Sequence, residues 1–288
     1  MITKYRRGKS KTHISKFTKK SYIKNAPANI SVLSYNISWE SMTGAKSNWD
    51  LCSNNTDPKH PKHNSVCVSN IAQVIDKNPV DFVCLQESTN FKNLIKESPV
   101  LQKMKYYEHT SKNENIVTFW DSTYKFINSH SDEFEPGRPY LATYFKRGKH
   151  SICIVNVHFG HYTNEDVLKH FLQIIKKLKV VEYIALGGRV IIAGDFNNNI
   201  KNLGKASSAK RTSSANSTRN TKKPNKSLCL DIDGVKFWMN RKHLLTCCLN
   251  RVKHNDHIID SLAPPIKVYI PPVKYMASDH KPIIGLLH

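Results

Sequence analysis

The chain has 288 residues, of which 39% are hydrophobic and 9% aromatic. This length and composition allow one large or two small globular domains, and they exclude a disulfide-rich miniprotein and a wholly disordered chain. No apolar run approaches the roughly 18 residues that a membrane helix needs. No apolar stretch follows the basic N-terminus either, so we expect an intracellular protein of the cytoplasm or nucleus, neither secreted nor bound to a membrane.

The formal net charge of +22 is concentrated in two segments. Residues 1–26 contain nine basic and no acidic side chains, and residues 201–227 contain eight basic and no acidic ones. We therefore predict a flexible basic tail at 1–28, one domain at 29–288, and within it a flexible basic insertion at 201–227. Both segments could contact nucleic acid through its phosphates, and the alternatives are a nuclear address or a merely solvated segment. Because Lys greatly outnumbers Arg, such binding would have little sequence specificity.

The seven cysteines are an odd number, form no CxxC pair and lie mostly inside apolar runs. This pattern favours reduced cysteines in the protein core over a disulfide framework. The adjacent Cys247 and Cys248 are likewise interpreted as core residues rather than as a redox pair.

Along the domain, short apolar runs alternate with amphipathic segments. Strands are predicted at 31–37, 81–87, 115–120, 140–145, 151–159, 189–196 and 235–239, with two further runs near 267 and 283. Apolar residues recur at helical spacing within 65–77 and 164–186, which predicts helices there. Many strands with few helices are typical of two stacked sheets covered by helices on their outer faces.

Polar side chains interrupt the apolar pattern at five predicted strand ends. They are Asn36 in SVLSYNIS, Glu87 in FVCLQES, His158 in CIVNVHFGH, Asp195 with Asn197 in VIIAGDFNN, and Asp279 with His280 in ASDHKP. A side chain at the end of a buried strand is held rigidly and still reaches solvent, which suits metal ligands and general bases. Each residue taken singly could instead be a cap, a turn or a satisfied core residue.

In their order, these elements resemble the deoxyribonuclease I-like endonuclease/exonuclease/phosphatase family, where N, QE, NxH, GDFN, ID and SDH occupy strand ends. The resemblance spans residues 31–288, and the combination of GDFN with a C-terminal SDH is its most specific part. It implies an α/β fold, a four-layered α/β/β/α sandwich of two mostly antiparallel sheets flanked by helices. It also implies a metal-dependent phosphoric ester hydrolase.

The chemistry of the candidate residues suits that class. Glu87 and Asp279 are hard oxygen ligands and, with the amide of Asn36, could hold one Mg²⁺, for which Mn²⁺ is a possible substitute. Asp195 could handle a proton on water or on the leaving group, while the amide of Asn197 holds the phosphoryl group.

Two histidines and an arginine complete the predicted site. His158 would provide a second donor to the phosphate. His280 needs a partner to fix its tautomer, and Asp260 in HIIDSLAP matches the family's ID element. Either the pair of His280 with Asp260 or Asp195 alone could be the general base. Arg138 in GRPYLATYF matches a family arginine near the active site and would bind substrate, although an arginine before proline is also common in loops.

Departures from the family pattern narrow the substrate. Ser38 stands where the apurinic-site endonucleases carry an acid, and the inositol-polyphosphate phosphatases have an arginine after GDxN that GDFNNNIKN lacks. We therefore predict a magnesium-dependent nuclease that cleaves DNA or RNA as an endonuclease or exonuclease. The alternatives are a phosphatase or phosphodiesterase of the same family acting on a nucleotide, a phospholipid or a protein–DNA end, and, from another class, an inert nucleic-acid-binding protein. The sequence does not indicate an oligomeric state.

Overall fold

The computed structural model describes residues 29–43, 52, 63–112, 114–203, 227–240, 244–248, 253–263, 266–273 and 277–288. The predicted tail at 1–28 lies outside these residues, and so does nearly all of the predicted insertion at 201–227. No helix within the described ranges has both the length and the apolar character needed to cross a membrane.

The described strands follow one another in the order β1 Ile30–Asn36, β2 Phe82–Gln86, β3 Lys105–Ser111, β4 Glu114–Trp120, β5 Lys125–Glu133, β6 Pro139–Arg147, β7 His150–His158, β8 Arg189–Asp195, β9 Ser227–Ile232, β10 Val235–Asn240, β11 Asp256–Asp260, β12 Ile266–Tyr269 and β13 Ile283–Leu287. They form a six-stranded sheet, β12-β13-β1-β2-β4-β3, and a seven-stranded sheet, β5-β6-β7-β8-β11-β10-β9. Most neighbours are antiparallel, but β1 with β2 and β7 with β8 are parallel pairs.

The described helices are α1 Trp39–Thr43, α2 His63–Asp76, α3 Phe91–Glu97, α4 Pro99–Lys103, α5 Asn164–Lys177 and α6 Val180–Ala185, with a 3-10 helix at Ile200–Asn202. Thr163 caps α5 by accepting a hydrogen bond from the backbone N–H of Asp166 at 3.2 Å. The single helix predicted over 164–186 is wrong. The helix is interrupted at Lys179, which has a left-handed backbone (φ 49°), and α6 begins at the next residue.

Three apolar cores correspond to the three interfaces of a four-layered sandwich. One lies between α1–α4 and the first sheet, a second lies between the two sheets, and a third lies between the second sheet and α5–α6. The middle core is built from inward side chains of both sheets, including Phe82, Phe145 and Ile191. The predicted α/β/β/α sandwich is confirmed.

A polar bridge joins the two sheets inside this middle layer. Gln86 of β2 donates to Asn156 of β7 at 2.7 Å, and the amide nitrogen of Asn156 donates to the backbone oxygens of Leu85 and Val117. Buried polar groups of this kind are tolerated because they are hydrogen-bonded. Gln86 and Asn156 therefore fix how the ends of β2 and β7 face each other, one residue before Glu87 and two before His158.

The prediction that all cysteines are reduced is wrong for four of them in this structure. Cys52 is bonded to Cys67, whose helix α2 brings the two Cα atoms to 5.3 Å, and Cys247 is bonded to its neighbour Cys248. Cys84, Cys153 and Cys229 are free thiols.

Candidate active site

The ends of four central strands meet at one edge of the sandwich. Asn36 ends β1, Glu87 follows β2, His158 ends β7 and Asp195 ends β8. The amide nitrogen of Asn36 donates to Oε1 of Glu87 at 2.9 Å and to Oδ2 of Asp195 at 3.1 Å, so it joins carboxylates from both sheets. The structure thus brings together residues that lie up to 159 positions apart in the chain.

Strand register aligns three of the functional residues across the second sheet. His158 pairs with Asp195 in the parallel ladder of β7 and β8, and Asp195 pairs with Asp256 in the antiparallel ladder of β8 and β11. The close approach of β8 to β7 depends on Gly194, where a Cβ atom would lie 2.0 Å from the backbone oxygen of Val157. The glycine of the GDFN motif is therefore needed for packing next to the site.

Three site residues have left-handed backbones that are uncommon outside glycine. Their φ angles are 59° at Ser38, 52° at Glu87 and 47° at Asn197. Each turns the chain just after a strand, and two of the turns are closed locally: Ser38 N–H donates to Oδ1 of Asn36, and Asn197 N–H donates to Oδ1 of Asp195. Such conformations cluster where surrounding contacts fix a functional geometry.

Asp195 is the centre of the site and is fully buried. Its carboxylate accepts from Asn197 N–H at 2.8 Å and from the Asn36 amide, while its Oδ2 lies 3.5 Å from Nε2 of His280 and 3.6 Å from Nε2 of His158. These donors hold the carboxylate in one orientation, and among the residues that the structure describes none of its partners is a lysine or arginine.

His280 is paired with Asp256, not with Asp260. Its Nδ1 lies 3.0 Å from Oδ2 of Asp256, and its Nε2 faces Asp195. Burial disfavours the charged ring, but the charges of Asp256 and Asp195 outweigh it and raise the pKa of His280 to about 10. The two carboxylates therefore favour the protonated form of His280.

The predicted pairing of His280 with Asp260 is wrong, because Asp260 lies at the far end of β11. It pairs with Ile191, four residues below Asp195 on β8, or about 13 Å along the strand. There both its carboxylate oxygens accept from the guanidinium of Arg189, at distances of 2.5 to 3.1 Å, and both side chains are buried. Asp260 has a structural role away from the site.

Glu114 is a site residue that the sequence did not reveal. It begins β4, which runs antiparallel to β2, so it reaches the edge where β2 ends. Its Oε1 lies 2.5 Å from Nδ1 of His158. Burial raises the pKa of Glu114 to about 8 and lowers that of His158, so burial opposes charge on both members of this pair. From sequence alone Glu114 was indistinguishable from an ordinary acid in a loop.

Donor groups surround Nε2 of His158. Arg138 places a guanidinium nitrogen 3.1 Å from this atom, and the amide nitrogen of Asn197 lies 3.3 Å from it. Arg138 is about one-third exposed and also lies near Glu114, so it connects the buried pair with solvent. The structure thus places the predicted residues His158, Asn197 and Arg138 together, in an arrangement that suits the oxygens of a phosphate.

The predicted metal ligands have donor chemistry that fits a hard cation. Glu87 and Asp279 offer carboxylate oxygens, which Mg²⁺ prefers. Oδ1 of Asn36 accepts from Ser38 N–H, while its nitrogen faces the carboxylates, so Asn36 positions Glu87 here and its role as a ligand stays a prediction. Asp279 is partly exposed beside His280. In addition, ligand atoms of Asp195, Asp256 and His280 lie within 4.8 Å of one another.

This fold and this set of strand-end residues define a class of protein that cleaves phosphoric esters. The sequence model of the endonuclease/exonuclease/phosphatase family matches residues 33–280, and the chain belongs to this family. Members of the family are phosphoric ester hydrolases and typically use divalent metal ions. The family expectation from the sequence is confirmed.

A relative from a large DNA virus is also similar along most of the chain. The uncharacterized protein L684 of Acanthamoeba polyphaga mimivirus is 28% identical over 285 residues, which cover 89% of this chain and 50% of the viral protein. The chain therefore spans about half the length of this curated relative.

Solved structures share the fold at low sequence identity. Truncated TDP2 of Caenorhabditis elegans has a TM-score of 0.60 and 13% identity, over 90% of this chain and 97% of that one. A humanized TDP2 of D. rerio has a TM-score of 0.62 and 14% identity, over 91% and 100%. ANGEL2, described as a 2',3'-cyclic phosphatase and solved with adenosine-2',3'-vanadate, has a TM-score of 0.58 and 13% identity, over 90% and 95%.

Proposed function

We propose that the protein is a metal-dependent phosphodiesterase that hydrolyses the phosphodiester bonds of nucleic acid. The observation that carries this proposal is the setting of Asp195, a buried carboxylate at a strand end whose Oδ2 lies within 3.6 Å of Nε2 of both His158 and His280. A rigid carboxylate between two imidazoles can take a proton from water while its neighbours bind a phosphate.

In this mechanism Asp195 is the general base. The N–H of Asn197 and the amide of Asn36 hold its carboxylate in place. Burial opposes charge on His280, but Asp256 and Asp195 outweigh it and raise its pKa to about 10, so we assign His280 the role of a donor of a proton or a hydrogen bond. This argument favours Asp195 over His280, the two bases that the sequence left open.

Mg²⁺ is the proposed cofactor, with Mn²⁺ as a substitute. Glu87 and Asp279 would bind it through carboxylate oxygens, and Asn36 would orient Glu87. When bound, the ion would neutralise negative charge that develops on the phosphoryl group. Arg138, Asn197 and His158 would hold the other phosphoryl oxygens from the opposite side of Asp195.

Nucleic acid is the proposed substrate for two reasons. The basic segments at 1–28 and 201–227 would attract a polyanion through counterion release. Trp39 lies beside the site, because its backbone N–H donates to Oε2 of Glu87, and its side chain is 48% exposed. An exposed indole next to a phosphate site can stack on a nucleobase, which is typically worth about 1–3 kcal/mol.

The test is a substrate panel for the purified protein with Mg²⁺, with Mn²⁺ and with chelator. Labelled single-stranded DNA, duplex DNA, RNA, a 2',3'-cyclic nucleotide and a phosphoinositide are compared in parallel. We expect chain cleavage of at least one nucleic acid, dependent on the ion. The matched variants are Glu87→Gln, which removes a proposed ligand, and Glu182→Gln, which makes the same change at an exposed residue of α6.

The outcomes separate the candidate functions. Cleavage of nucleic acid that Glu87→Gln abolishes and Glu182→Gln leaves intact supports the proposal. Turnover of the cyclic nucleotide or the phosphoinositide alone would support another phosphoric ester hydrolase of the family. Binding of nucleic acid without cleavage of any substrate would indicate an inert binding protein.

A further inference from the structure

A short cysteine-containing segment contacts both members of the His280–Asp256 pair. In residues 244–248, the backbone N–H of Cys248 donates to the backbone carbonyl oxygen of Asp279 at 2.9 Å, and Cys247 forms a backbone bridge with His280. The hydroxyl of Thr246 accepts from Asp256 N–H at 3.1 Å. A chemical change at these cysteines would therefore directly alter the surroundings of His280 and Asp256.

Three side chains at this contact could hold a single ion. The sulfur of Cys247, a carboxylate oxygen of Asp279 and a ring nitrogen of His280 all lie within 4.8 Å of one another. Cys247 and His280 are buried, whereas Asp279 is partly exposed, so the cluster is in contact with solvent on one side. Three protein ligands with one open position is a common arrangement for zinc.

The ligand chemistry separates this cluster from the proposed magnesium site. A thiolate and an imidazole are soft or borderline donors that favour Zn²⁺, whereas Mg²⁺ prefers oxygen. The sulfur of Cys247 is bonded to Cys248 in this structure and cannot ligate as a thiolate. Reduction by a dithiol breaks this S–S bond, forms two cysteine thiols and converts the dithiol into its own disulfide, which balances the two electrons transferred.

We propose that reduction of the Cys247–Cys248 disulfide opens a zinc-binding site formed by Cys247, Asp279 and His280. Zinc binding displaces the thiol proton of Cys247 and the proton on the ligating nitrogen of His280. The zinc ion also takes the carboxylate of Asp279 as a ligand. Resting on the proposed function, the further consequence is inhibition, since His280 and Asp279 are withdrawn from phosphodiester hydrolysis.

The direct test measures binding of Zn²⁺ by equilibrium dialysis, with the full chain either oxidised or reduced by a phosphine. We expect the reduced protein to bind one zinc ion more per chain than the oxidised protein. Cys247→Ser should lose that ion in both states. Cys248→Ser keeps the ligating thiol but has no disulfide partner, so it should bind the ion whether or not it is treated with oxidant.

The two serine variants control for each other, because each removes one sulfur from the same segment. Their circular dichroism and melting curves, compared with the parent protein, show whether loss of zinc reflects unfolding. Equal zinc binding by oxidised and reduced parent protein would overturn the proposal, as would undiminished binding by Cys247→Ser.

Binding and inhibition are measured separately so that the proposed function is not a condition of the test. Glu87→Gln removes a proposed magnesium ligand but none of the three zinc ligands, so it should bind the redox-dependent zinc ion like the parent protein. Zinc binding by the reduced protein, together with no hydrolysis by the oxidised, zinc-free protein, would leave the zinc site standing and would count against the proposed activity. Hydrolysis with no redox-dependent zinc binding would support the proposed activity and overturn the zinc site.

Discussion

Two histidine–carboxylate pairs flank Asp195, and they differ in charge. In the pair of Glu114 and His158, burial raises the pKa of the carboxyl to about 8 and lowers the pKa of the imidazole. Nearby Arg138 adds to the fall for His158 and opposes the rise for Glu114. In the pair of Asp256 and His280, the carboxylates Asp256 and Asp195 overcome burial and raise the pKa of the imidazole to about 10. The pKa of the imidazole is thus shifted in opposite directions in the two pairs.

The difference shows what decides the role of each histidine. Both rings are buried and both present Nε2 to Asp195. Both rings have a carboxylate at each ring nitrogen, but Nε2 of His158 also faces the guanidinium of Arg138. The balance of burial and local charge therefore favours the cationic form of His280 and the neutral form of His158, which suits His280 for stabilising the negative charge of a phosphate and His158 for a hydrogen bond.

The largest loss of turnover is expected from a change at Asp195, which lies between the two pairs. Asp195→Asn keeps the shape of the side chain but removes the proposed base, so turnover should fall by roughly 10²–10⁴-fold. The measurement is kcat and KM on the best nucleic acid of the panel, with circular dichroism to verify folding. A variant that retains full turnover would show that Asp195 is not the base.

A second variant tests the charge on His280 through its partner. Asp256→Asn removes one of the charges that raise the pKa of His280, so we expect this pKa to fall and activity to be lost at a lower pH than in the parent. Turnover at neutral pH should drop by about 10–100-fold if each lost contact is worth roughly 1.5–3 kcal/mol. The measurement is the pH–rate profile together with NMR titration of His280.

Asp260→Asn is the matched control, because it makes the same change at the other end of β11. It leaves Arg189 buried without a charged partner, and breaking such a pair typically costs about 3–5 kcal/mol of stability. We expect a lower melting temperature but an unchanged pH–rate profile for the folded protein. If Asp260→Asn shifted the pH–rate profile and Asp256→Asn did not, the result would contradict the pairing of His280 with Asp256 and support the pairing with Asp260 that the sequence predicted.

Which of Asp256 and Asp260 is the partner of His280 could not be predicted from the sequence. Side chains alternate along a strand, so residues four apart share a face, and the apolar pattern of this strand could not separate them. What decides is direction: β11 runs antiparallel to β8, and its first residue, not its last, lies beside Asp195. Strand pairing between distant segments is a tertiary property that periodicity does not contain.

The fold was predictable where strands are buried and less so at the sheet edges. Central strands such as β1, β7 and β8 are continuous apolar runs, and they were found within one or two residues. The edge strands β3 and β5 are largely polar and exposed, so they carried no such signal. The hairpin of β9 and β10 could have been found from Asp233-Gly234, a pair that adopts positive φ angles in a two-residue turn.

A smaller loss of turnover is expected from a change in the pair of Glu114 and His158. Glu114→Gln preserves a hydrogen-bonding partner for Nδ1 of His158, and burial disfavours charge on both of these residues. We expect turnover to fall by no more than about tenfold, equivalent to roughly 1.4 kcal/mol. Glu182→Gln serves as the control. A loss as large as that of Asp195→Asn would mean that Glu114 and His158 take part in proton transfer.

A different kind of effect, on stability instead of turnover, is expected in the pH dependence of unfolding of the metal-free protein. A folded-state pKa that is raised gives stability that is present below the unfolded pKa and is lost as the pH rises through the folded value. For Glu114 this window runs from its ordinary value of 4.5 to about 8, and for His280 from 6.5 to about 10. Urea unfolding across pH 4–10 should therefore show Glu114→Gln flattening the lower part of the decline and His280→Gln the upper part. If both variants flattened the same window, the two pairs would titrate as one unit and the contrast between them would fail.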